Sequence, residues 1–141
     1  MKKGFTLIEL LGVIVLLGLL AVLIVPKVSE SLSEAKESVN EASASALIRE
    51  AEAYYLERKT DVTPFTGCEY DFTENINTCT NFEFKGKKPE KGILYLQSNG
   101  SIGMNIKLDK KCYKKEYTSD DIEIIDYEAS TCEEDTNLTN P

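Results

Sequence analysis

Lys2-Lys3-Gly4-Phe5-Thr6-Leu7-Ile8-Glu9-Leu10 opens a stretch that then runs without a polar side chain through residues 10–25 and closes on Pro26. The uninterrupted part is 16 residues long, and reaching back to Phe5 makes it 21, broken only by Thr6 and Glu9. At about 1.5 Å per residue, such a helix spans roughly 32 Å, close to a bilayer core of about 30 Å. The β-branched residues within it do not forbid helix, because lipid offers the backbone no other way to satisfy its polar groups. Lys2 and Lys3 flank the run on its N-terminal side. The positive-inside rule therefore puts the N-terminus in the cytoplasm and residues after Pro26 outside. A cleaved secretory signal fits less well, since no A-x-A-like site follows the run.

Glu9 is the anomaly. A lone carboxylate inside an apolar span costs about 2–4 kcal/mol. Either it lies shallow enough to reach headgroups or a cation meets it. The rest of the chain narrows the choice of function by exclusion. Sixteen Lys plus Arg stand against 24 Asp plus Glu, a net charge of -8, which lacks the basic footprint of a general nucleic-acid binder. With no His there is no His-ligated metal, no Ser-His-Asp triad and no imidazole acid-base chemistry. No phosphate-binding Gly loop follows a strand pattern, so neither enzymatic activity nor a cofactor is expected.

The short basic leader, Gly4 before Phe5, Glu9 four residues after Phe5 and the apolar run to Pro26 together resemble the class III signal of type IV pilins. The resemblance is close over about the first 26 residues. It implies cleavage between Gly4 and Phe5 by a prepilin peptidase, with N-methylation of Phe5. It implies that Glu9 pairs with the Phe5 amine of a neighbouring subunit, and that Gly18 and Pro26 bound a segment that can unwind in filaments. The implied fold is α+β: one long N-terminal helix whose C-terminal half packs on a three- to four-stranded antiparallel sheet. The implied partners are further copies of the chain in a helical filament, the peptidase, and the assembly platform with its ATPase. The membrane holds the subunit before assembly, and the filament is extracellular. The very short Lys-rich leader points to a Gram-positive-type pilus and, by expectation, a major pilin. A minor pilin, a pseudopilin of a type II secretion or DNA-uptake system, and a non-polymerising anchored binding domain are the alternatives. Adhesion, twitching motility and aggregation are the roles such a pilus takes.

The expected organisation is a leader at 1–4, a membrane and filament-core helix at 5–26, and a head at 27–141. Within the head, helix continues over 27–59, with Val28, Leu32, Ala35, Val39, Ala42 and Ala46 at spacings of 4, 3, 4, 3, 4. The stripe then drifts to Leu47, Ile48, Ala51 and Tyr55, and this helix is expected to pack on the sheet. Residues 60–92 read as a loop punctuated by Pro64, Gly67, Gly86, Pro89 and Gly92, with a short edge strand at 81–85. Residues 93–127 read as sheet. Its first hairpin turns at Asn99-Gly100, where both residues tolerate positive φ. A C-terminal segment fills 128–141.

Cys68, Cys79, Cys112 and Cys132 all fall on the outer side of the span. An even number in a small exported domain favours disulfides, with three connectivities possible. Pairing of neighbours, Cys68 with Cys79 and Cys112 with Cys132, is the expectation. A four-thiolate zinc site and free thiols are the rivals, the first weakened by the absence of any C-x-x-C. Lysines cluster at 85–91 and 107–115, and nine acids with no base follow Lys115. That pattern fits a solvated surface, complementary contact between stacked subunits, or a basic patch for DNA uptake. Asp120, Asp121, Glu123 and Asp126 match no EF-hand loop. The sequons at Asn99 and Asn137 read only as turns.

Overall fold

A computed structural model describes residues 4–127 and Cys132. Leader residues 1–3, the Asn137 sequon and the rest of the C-terminal segment lie outside them. The described chain is one long helix, α1 (Leu7–Lys59), followed by six strands: β1 (Cys68–Asp71), β2 (Ile76–Asn77), β3 (Lys91–Leu96), β4 (Ile102–Leu108), β5 (Lys111–Lys115) and β6 (Glu123–Asp126). It divides into two compact units at Ser38 and Val39.

The first unit is helical and uncovered. Its apolar side chains stand in the open, from Leu7 at 84% to Leu16 at 62% and Val25 at 64% exposure. Pro26 lies inside the helix without ending it. The stretch between Gly18 and Pro26 that the resemblance allows to unwind is therefore helical in the isolated chain.

In the second unit the sheet order is β2-β1-β3-β4-β5-β6, every neighbouring pair antiparallel. One face of β3 and β4 buries Leu94, Leu96, Ile102, Met104, Ile106 and Leu108 against Ala44, Leu47, Ile48 and Ala51 of α1. Tyr54 closes the end of this core, its ring edge-on to Phe82 at 5.5 Å and its hydroxyl donating to the Thr80 carbonyl at 3.0 Å. Small alanines on the helix let its backbone approach the sheet while Leu47 fills the space between. At one corner Asn40, itself buried, donates to Asp109 Oδ2 at 2.7 Å and accepts from Lys87 Nζ at 2.8 Å. Lys87 also reaches Asp109 at 2.7 Å, so helix, loop and the β4–β5 turn share one polar knot.

Four expectations need correcting. The sheet has six strands, not three or four, because β1 and β2 form a hairpin within the expected loop. Its turn is built by Asp71, whose Oδ1 accepts from the Thr73 and Glu74 amides at 2.7 and 3.1 Å, with Asn75 at φ 56°. Residues 81–85 are not a strand. Their alternation comes from Phe82 and Phe84 anchoring in the core, while Asn81 at φ 64° and a bond from Lys85 N to Glu50 Oε2 take the backbone out of any ladder. The expected helix face holds at Leu47, Ile48 and Ala51, which are buried, but not before them: Val39 is exposed. The buried face runs through Asn40, Ala44, Leu47, Ile48, Ala51 and Tyr54, so Asn40 stands where Val39 was expected and Tyr54 where Tyr55 was, one residue or about 100° around the helix. Lastly, the Asn99-Gly100 turn has positive φ only at Gly100, at 93°. Gly100 N donates to Gln97 O at 3.0 Å and Gln97 N to Ser101 O at 2.9 Å, a three-residue connection rather than a two-residue one.

Candidate assembly site

Helix α1 begins immediately after Thr6, and Thr6 and Glu9 close its first turn on themselves. Glu9 Oε2 accepts from the Thr6 amide at 2.8 Å and from the Thr6 hydroxyl at 2.8 Å. The Glu9 amide in turn donates to Thr6 Oγ1 at 3.4 Å. This is a capping box, in which residues three apart satisfy each other's orphan helix-start groups. The positive end of the helix dipole adds to the stabilisation of the carboxylate. The sequence carries the signal as Thr6-x-x-Glu9, yet it is easily overlooked when Glu9 is weighed only as a misplaced charge. Among the described residues, both bonds that the carboxylate accepts end on Oε2.

Around this turn the chain is open. Phe5 is 89% exposed. A Cβ added at Gly4, Gly12 or Gly18 would meet nothing within 4 Å. The helix that follows is the one long and apolar enough to cross a membrane among the described residues, and none of its most apolar window is buried. A helix apolar on all sides needs lipid or other helices around it.

The cysteines are paired in the structure, Cys68 with Cys79 at a Cα separation of 5.0 Å and Cys112 with Cys132 at 5.8 Å. The first ties β1 to the segment after β2, and the second ties β5 to the C-terminal segment. The lysine clusters are answered by acids of the same chain. Lys107 meets Glu90 at 3.0 Å and Lys114 meets Glu116 at 3.4 Å. In the β5–β6 register Lys111 stands opposite Asp126, and Lys114 opposite Glu123.

Residues 1–25 match the family profile of the prokaryotic N-terminal methylation motif. The chain carries a prepilin-type N-terminal methylation motif. Type II secretion system core protein G of Pseudomonas aeruginosa is 39% identical to it over 56 residues, 40% of this chain and 39% of that relative. The chain thus aligns with well under half the length of the curated relative it matches. No solved structure matches. The capping box and the open apolar helix are the three-dimensional form of that motif in this chain.

Proposed function

We propose that the chain is a structural subunit of a type IV pilus, cut between Gly4 and Phe5, methylated on Phe5 and polymerised through α1. The observation that carries the reading is the uncovered apolar helix headed by Phe5 and a capped Glu9. In the membrane, Thr6 satisfies part of the Glu9 carboxylate, which lowers the cost of holding that charge near lipid. In the filament, the Phe5 amine of a neighbour adds a cation to the same group. A stagger that fails to bring the two together leaves the carboxylate without its ion partner, so the pair selects register. Transfer from lipid to a helical filament core brings little hydrophobic gain, so packing and the charge pair decide whether subunits add.

Similarity to a secretion-system core protein favours a second reading, in which the filament is a short pseudopilus rather than a surface pilus. Electron microscopy and mass spectrometry of filaments sheared from the native cell separate the two. The assembly mechanism is tested by Glu9→Ala. That variant should insert and fold at wild-type levels but incorporate poorly into filaments. Filaments of normal number and length would refute the role given to Glu9.

A further inference from the structure

β1, β3 and the turn after β5 enclose an open groove of about 420 Å³ on the head. Glu69, Tyr95, Gln97 and Tyr117 line it, together with Thr66 and Ser98. Tyr95 stands directly opposite Glu69 in the β1–β3 register. Both alternate with residues that face the helix core, so ring and carboxylate share the sheet face turned away from α1. On its other side Tyr95 pairs with Gly103, which leaves space beside the ring. Tyr117 enters from the turn beyond β5, and its hydroxyl hydrogen-bonds the Gln97 amide. Burial raises the Tyr95 hydroxyl above its ordinary pKa, and the Glu69 and Asp71 carboxylates raise it further. Burial likewise raises Tyr117, so both phenols remain donors at physiological pH.

Three separate devices order the walls. The Cys68–Cys79 disulfide pins β1. The Thr78 hydroxyl accepts from Glu69 N at 2.8 Å and donates to Glu69 O at 3.1 Å. Lys115, only 7% exposed, donates to Ser119 O at 2.6 Å and to Ile102 O and Glu116 O at 3.4 Å. A buried ammonium held by carbonyl oxygens is a costly way to fix a surface turn. It makes sense where the side chain on that turn, Tyr117, has to be held in place.

Among the described residues the groove offers hydroxyls, an amide, one carboxylate and phenol rings, and no Lys or Arg lines it. Its volume falls within the common range for small-molecule sites, about 300–1,000 Å³. Phosphates and acidic sugars find no counter-charge among the described lining residues. Vicinal hydroxyls match a carboxylate beside an amide, and the C–H face of a pyranose matches an aromatic ring. We propose that this groove binds a neutral hexose unit of a glycan, which gives the head a ligand site separate from polymerisation.

Saturation-transfer difference NMR on the full chain, in a polyoxyethylene detergent without a sugar headgroup, tests this with lactose and N,N′-diacetylchitobiose as probes and tetramethylammonium as the cationic control. At least one disaccharide should bind with a Kd below about 10 mM. Tyr95→Ala should weaken it by about tenfold or more, and Tyr95→Phe, which keeps the ring, by only a few-fold. Glu69→Gln serves as a second variant that preserves side-chain shape, and it too should weaken binding. Transfer to neither disaccharide, binding indifferent to both Tyr95→Ala and Glu69→Gln, or preference for tetramethylammonium would each overturn the proposal.

Discussion

Gly92→Ala should destabilise the head more than any other single-methyl change in it. Gly92 sits on β3 at φ 107°, a region that L side chains rarely adopt. A Cβ there would collide with the Asn105 carbonyl oxygen and lie 2.6 Å from Ile106 Cα. Both obstacles are backbone of β4, the paired neighbour, so no rotamer change relieves the clash. The strain at positive φ costs about 1–3 kcal/mol. Moving β4 away also weakens ladder bonds around the Gly92–Ile106 pair, each worth about 1 kcal/mol. The bonds from Gly92 N to Thr73 Oγ1 and from Phe72 N to Gly92 O, 2.9 and 2.8 Å, are put at risk as well. The expected loss is about 3–5 kcal/mol, a large part of a domain stability of about 5–15 kcal/mol. Hydrogen exchange of β3 and β4 amides in the detergent-solubilised chain reads it directly. Gly12→Ala is the control: a Cβ there meets no atom within 4 Å, and head amide protection should not change. A loss below about 1 kcal/mol for Gly92→Ala would refute the close approach of β3 and β4 on which the core is built.

Thr6→Ala should cost the helix start about 1 kcal/mol, seen as faster exchange of the first-turn amides, whereas Thr6→Ser should restore it. Reducing the Cys68–Cys79 disulfide, or replacing both residues by Ser, should lower head stability by about 3 kcal/mol for a closure 11 residues apart, measured by chemical denaturation. Tyr95 and Tyr117 have folded pKa values above the ordinary tyrosine value, so the native state holds their protons longer than the unfolded chain does. Stability from these groups is complete below about pH 10 and falls as pH rises through the folded values. An ultraviolet titration, with Tyr95→Phe and Tyr117→Phe used to assign each phenol, should show both ionising at higher pH in the folded head than in the denatured chain.

The N-terminal half of the fold was legible because its signal is dense and local. An apolar run of bilayer length made the helix legible. The β3–β4 hairpin was legible for the same reason, from alternation across a Gly-containing turn. The register of α1 on the sheet was legible at Leu47, Ile48 and Ala51 but not before them. The 4-3 stripe through Val28 and Val39 is stronger in pattern than the true face, which contains Asn40 and two alanines. Only tertiary pairing of Asn40 with Asp109 and Lys87 makes a polar residue suitable there. β1 was hidden because Cys68-Glu69-Tyr70-Asp71 carries acids on its outer face and owes its strand form to pairing with β3. The role of Lys115 was equally invisible, since its partners are carbonyl oxygens brought close only by folding. At Glu9 the capping box could be read from the spacing of Thr6 and Glu9, but a subunit partner cannot be read from a single chain.

The central proposal is that residues 5–25 form a processed, polymerising N-terminus, and mass spectrometry of the protein taken from its native cells tests it most directly. The account predicts a chain lacking residues 1–4, beginning at Phe5 and carrying one methyl group on that amine. A mature N-terminus at Met1, or one beyond Val25, would contradict it.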